Sequence, residues 1–136
     1  MNLIFRNTVT CIFTLLVVCA CASEPHVPVP LEERLARQGY TIGPQVKRIQ
    51  DNQINGWISV GRYNVIIQVG ASQSYLVTVR SPCEGLRSAT LLNFSTIVGY
   101  LTDKDKLVVR GGGRYLENCY IDTIHELTKN TSSSDT

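Results

Sequence analysis

Asn64-Val-Ile-Ile-Gln-Val69 and Ser74-Tyr-Leu-Val-Thr-Val-Arg80, joined by Gly70-Ala-Ser-Gln73, are the stretch from which the fold is read. Both segments are rich in β-branched residues, and the small polar residues between them suit a tight reversal, so an antiparallel hairpin is expected. Strands Val65–Val69 and Tyr75–Val79 should supply most of the core. Pro82 stops the second strand, and Cys83 follows it.

Outward toward the N-terminus, Val46-Lys-Arg-Ile49 and Trp57-Ile-Ser-Val60 read as strands on either side of the turn-forming Asp51-Asn-Gln-Ile-Asn-Gly56. Leu31 to Gln38 puts Leu31 and Leu35 on one helical face with Gly39 as the C-cap, a helix short enough to be dispensable. Outward in the other direction, Leu86, Ala89 and Leu92 have helical spacing. Ile97–Leu101 and Lys106–Arg110 flank Thr102-Asp-Lys-Asp105 as a second hairpin, and Gly111-Gly-Gly113 breaks the chain. Cys119 to Leu127 reads as a strand running into a short turn or helix, because Ile121, Ile124 and His125 fit helical spacing while Tyr120, Thr123 and Leu127 fit it poorly. The expected fold is α+β and β-rich, a small antiparallel sheet or partly closed barrel of roughly five to seven strands with one or two short helices.

The N-terminus speaks to location. Arg6 is followed by an uncharged run, Thr8 to Ala20, with an apolar centre at Val9, Ile12, Phe13 and Leu15 to Val18. That is a secretory signal, too short for a spanning helix with proper flanks. It ends Val18-Cys19-Ala20-Cys21, the pattern of a lipoprotein signal, with Cys21 as the lipid acceptor and Cys19 an unusual occupant of its place. An ordinary cleaved signal, cut near Ala20 or Ala22, is the competing reading. Ala22 after the acceptor, where Asp would retain a lipoprotein at the inner membrane, points to the outer membrane facing the periplasm. Residues 1–20 are then the signal, 21–30 a lipidated (palmitate-bearing) and proline-rich tether, 31–128 one β-rich domain and 129–136 a disordered tail. Loss of Arg6 lowers the formal net charge of +2 by one, and with no basic run nucleic acid is not an expected partner.

Of five cysteines, Cys11 and Cys19 leave with the signal and Cys21 takes the lipid. Cys83 and Cys119 remain as an even pair in an oxidising compartment, where a disulfide is the default. Closing a loop of roughly 37 residues should stabilise the fold by roughly 3–4 kcal/mol. A metal site would need more ligands than His26 and His125 can add, and a redox pair would be closely spaced. No metal or other cofactor is expected.

Tyr75-Leu76-Val77, Cys83 followed by Leu86, an acidic position at Asp105, and Cys119-x-Ile121-x-x-Ile124-x-x-Leu127 together resemble a family of small proteobacterial lipoproteins of unknown function. The resemblance covers most of residues 46–127. It implies an outer-membrane or periplasmic lipoprotein with an internal disulfide and transfers no catalytic residue.

Candidates for chemistry are few. His125, beside Glu126, could serve Ser72, Ser74 or Ser95, but none of these lies in a Gly-x-Ser-x-Gly turn. Asp103 and Asp105 are interleaved with Lys104 and Lys106 and read better as a solvated turn than as paired acids. Gly111-Gly-Gly-Arg114 could cradle an anion but lacks the P-loop ending, and a flexible linker is the plainer reading. Trp57 and six tyrosines exceed what a small core needs, and surface tyrosines suit interfaces.

The expected function is therefore a non-enzymatic envelope lipoprotein, bound to the bilayer through Cys21, that contacts an envelope protein or the cell wall. Tyr75, Arg114, Tyr115 and His125 are the candidate contacts, on Gly70–Tyr75, on Arg110–Tyr115 and at the end of the domain. A periplasmic inhibitor of a wall-degrading hydrolase is one version of this reading. The alternative is a small-ligand binder or hydrolase with a pocket near His125, which requires His125, Arg114 and an aspartate to converge.

Overall fold

A computed structural model describes residues 27–96, 99–113 and 115–131. The signal segment, Cys21, His26, Arg114 and the tail beyond Thr131 lie outside the described residues. Helix α1 (Leu31–Arg37) is followed by β1 (Tyr40–Val46), β2 (Arg48–Gln50), β3 (Ile54–Ser59), β4 (Asn64–Val69) and β5 (Gln73–Val79). After a 3₁₀ turn, Glu84–Ser88, come β6 (Leu91–Ser95), β7 (Tyr100–Thr102), β8 (Lys106–Arg110) and β9 (Leu116–Lys129). Seven strands form one antiparallel, barrel-like sheet in the order β3-β4-β5-β9-β8-β6, with β1 also paired to β9. The fold is β-rich, as the sequence implies.

The β4–β5 hairpin forms in full register from Asn64↔Thr78 to Val69↔Gln73. Its inward residues, Val65, Ile67, Val69, Val77 and Val79, join Leu86, Leu107, Val109, Ile121 and Ile124 in the main core. Five of the six β4 residues are buried, because the opposite face is covered too. There Ile66, Leu76 and Leu127 pack with Val60, Tyr40 and Leu35 of α1 into a second core. Leu35 is fully buried, so the helix is not dispensable: it covers sheet area that would otherwise face water. Gly39, at φ +81°, supplies the left-handed residue that ends it.

Strand β9 bonds to β5 on one edge and to β8 and β1 in succession on the other. It is a single strand through Lys129, with no helical turn. Its register shifts between Thr78↔Thr123 and Val79↔Ile121, so Asp122 is the extra residue of a bulge. The bulge turns Cys119, Ile121 and Ile124 into one core, while Leu127 belongs to the other. Helix-like spacing is thus produced by a bulged strand buried on both faces.

Three further expectations are corrected. Strand pairing begins at Tyr40 rather than near Val46, passing Pro44 where the β1–β9 register is irregular. Leu86 lies in a 3₁₀ turn, whereas Leu92 lies in strand β6. No β7–β8 hairpin forms: β7 pairs with β2, and β8 pairs with β6 and β9. The β2–β7 ribbon carries Ile49 and Leu101 into the main core and so lies across one end of the barrel.

Candidate functional site

The end of the barrel spanned by the ribbon bears a cleft of about 290 Å³. Its apolar floor is Ile49 and Val69, and its rim comprises Arg48, Gln50, Gln53, Gln73, Tyr75 and Tyr100. Alternation in β2 explains the arrangement, since Ile49 points into the core and leaves Arg48 and Gln50 exposed. Gln50 stands opposite Tyr100 on β7, and the Arg48 guanidinium lies 4.6 Å from the Tyr100 ring centroid, a cation–π contact. Asp51 fastens the ribbon: its N–H donates to the Gly99 carbonyl at 3.2 Å, and its carboxylate accepts the Thr96 hydroxyl at 2.6 Å.

Tyr75 enters from β5, between Ile67 and Glu126. Its hydroxyl donates to Gln73 Oε1 at 3.3 Å. Burial, and then the neighbouring Glu126 carboxylate, hold its phenol above the ordinary tyrosine range. The β4–β5 turn also walls a smaller cleft with Asn55, Gln68 and Lys129, so Gln73 borders both. Amides, phenols and one guanidinium over an apolar floor can hydrogen-bond and stack a polar ligand or a peptide segment.

The other candidates are placed elsewhere. His125 stands across from Leu76 and Gln45, on the face covered by α1, and lines neither of these clefts. Its Nδ1 is buried without a hydrogen-bond partner among the described residues. Tyr115 is 91% exposed at the tip of the β8–β9 hairpin, remote from Tyr75. Asp105 does not pair with Asp103; its carboxylate accepts the Thr102 N–H at 2.7 Å and hydroxyl at 2.8 Å, closing the turn. The glycine run is a packing device as well as a connection. A Cβ on Gly111 would fall 2.9 Å from Gly85 Cα, so only glycine lets the 3₁₀ turn lie against the hairpin.

Cys83 and Cys119 form the disulfide, with Cα atoms 5.8 Å apart. Glu117 lies beside them, and the three could suggest a metal site. The sulfurs are bonded to each other, however, and the Glu117 carboxylate accepts backbone N–H groups of Glu84 (3.3 Å) and Gly85 (2.7 Å). Sequence reasoning missed Glu117 and the Arg48–Gln50–Gln53–Tyr100 rim. The Glu117 signal was available, since Glu117, Cys119 and Ile121 alternate onto one strand face.

No curated protein and no solved structure matches the chain. A family model described as a family of unknown function (DUF6491) matches residues 4–134, and the chain belongs to that family.

Proposed function

We propose that the protein is a lipid-anchored, non-enzymatic binding module of the cell envelope, held through Cys21 at the outer membrane and facing the periplasm. Its partner is an envelope protein or a cell-wall component, engaged through the cleft that includes Tyr75. One observation carries this reading: two tyrosines, three glutamines and Arg48, from segments distant in sequence, line one accessible cleft. The lipoprotein pattern Val18-Cys19-Ala20-Cys21 supports the anchor.

Two measurements test it. Cys21→Ala should move the protein from the membrane fraction to the soluble fraction; unchanged membrane association refutes the anchor. Photocrosslinkers at Gln50 and Gln73 should capture one common species in intact cells, and Tyr75→Ala with Tyr100→Ala should abolish its capture. Capture that survives both substitutions places the contact elsewhere.

A further inference from the structure

The chain enters the described fold near a second cleft, of about 480 Å³, formed by Pro28 and Val29 with Arg34, Arg62, Tyr63 and Arg87. It lies at the barrel end opposite the Tyr75 cleft, since β4 runs from Asn64 here to Val69 there. Three arginines, from α1, the β3–β4 turn and the 3₁₀ turn, therefore line one cleft where residues 28 and 29 enter the fold. Arg34 donates through one terminal nitrogen to the Val60 carbonyl, but its Nε is buried without a partner among the described residues. Arg62 pairs with Glu84 at 2.9 Å, with both side chains more than half exposed. Of the three arginines that line the cleft, Arg62 alone has a carboxylate partner among the described residues.

Apolar and aromatic residues stand among the polar ones at this end. The Cys83 N–H bonds to the Arg62 carbonyl, Glu117 holds Gly85, and the Gly112 N–H bonds to Ser88 Oγ. These ties gather the β3–β4 turn, the 3₁₀ turn and the hairpin tip at this one end. Val27, Tyr63, Leu91, Tyr115 and Leu116, all exposed, belong to those segments or to the adjoining tether and β6. Tyrosines and aliphatic residues mixed with arginines are what a membrane–water interface selects.

We propose that the Arg34–Arg62–Arg87 cleft takes the phosphate of an anionic phospholipid headgroup and seats this end of the barrel on the bilayer that holds Cys21. The proposal rests on the anchor reading above. Pro28 lines the cleft, and the seven residues from Cys21 to it reach roughly 25 Å at most when fully extended, so an anchored Cys21 keeps the cleft within range of the headgroups. Guanidinium groups suit phosphate oxygens because they bind them in pairs. Docked in this way, the protein points the Tyr75 cleft away from the membrane.

The test uses the protein with its own processed N-terminus, reconstituted into phosphatidylethanolamine vesicles with or without phosphatidylglycerol. A fluorophore is placed on Tyr115→Cys or, at the far end, on Ser72→Cys; both positions are exposed. Both proteins should float with the vesicles, and aqueous iodide should quench the label at 115 much less than that at 72, most clearly with phosphatidylglycerol present. Arg62→Gln and Arg87→Gln should each weaken docking roughly fivefold, the weight of one basic residue at an anionic surface, and return quenching at 115 toward that at 72. Flotation with equal quenching at the two positions overturns the docking and leaves the anchor standing. Failure to float removes the anchor and the docking with it. Binding of inorganic phosphate to the vesicle-free protein that Arg62→Gln and Arg87→Gln both weaken, with quenching at 115 the same whether or not phosphatidylglycerol is present, assigns the cleft to the free ion and overturns the headgroup.

Discussion

The two ends of the barrel are held by different means. At the disulfide end, the Cys83–Cys119 bond, the Glu117 carboxylate on two backbone N–H groups and the Gly111–Gly85 contact lock a 3₁₀ turn against a hairpin. At the cleft end, a two-stranded ribbon is held by two buried aliphatic side chains, Ile49 and Leu101, and by the hydrogen bonds of Asp51. Covalent and backbone ties add to the packing of buried Leu86 in fixing the position of one end. The ribbon depends on packing and hydrogen bonds alone, so the cleft it carries can adjust while the sheet stays intact.

The largest expected effect breaks the first of these. Cys83→Ser with Cys119→Ser should lower unfolding stability by roughly 3–4 kcal/mol in denaturant titration. Native-state hydrogen exchange should accelerate earliest at Leu86; if Leu101 accelerates as much, the two ends are not independent. Leu101→Ala, at a fully buried position, should cost about 3 kcal/mol and weaken the capture proposed for crosslinkers at Gln50 and Gln73 while leaving exchange at Leu86 slow. Gly111→Ala should cost about 2 kcal/mol through overpacking against Gly85, with rising proteolysis within Glu84–Ser88 as its readout; an unchanged cleavage pattern would show that the turn yields freely.

The smallest effect concerns pH. The Tyr75 phenol is raised above the ordinary value of 10.0, so the unfolded chain gives up this proton before the folded one does. The contribution is complete below pH 10 and is lost as pH climbs from there through the folded value. Tyr75→Phe should flatten that alkaline decline. Glu126→Gln should bring the phenol partway back, read from phenolate absorbance, because burial remains the larger cause.

The central hairpin was legible because alternation, β-branching and a small-residue turn agree over adjacent residues. Strand β9 was only half legible, since the Asp122 bulge shifts its phase and α1 buries Leu127 on the opposite face. Two apolar residues made α1 look expendable, and the value of Leu35 appears only once the strands beneath it are assembled. The cleft followed the same rule. Tyr75 stood out as an aromatic residue in a clear strand, but Arg48, Gln50 and Tyr100 meet it only through a pairing between segments about fifty residues apart, which no local pattern encodes.

The central place of β9 also sets the order in which the molecule can assemble. It is the last of the described strands, yet it bonds β5, β8 and β1 and carries the second half of the disulfide. A chain emerging N-terminus first can form the β4–β5 hairpin early. It cannot join its two halves into one sheet until β9 has followed. During synthesis the polypeptide therefore stays unclosed, and the sheet zips shut only when nearly all of the fold has arrived.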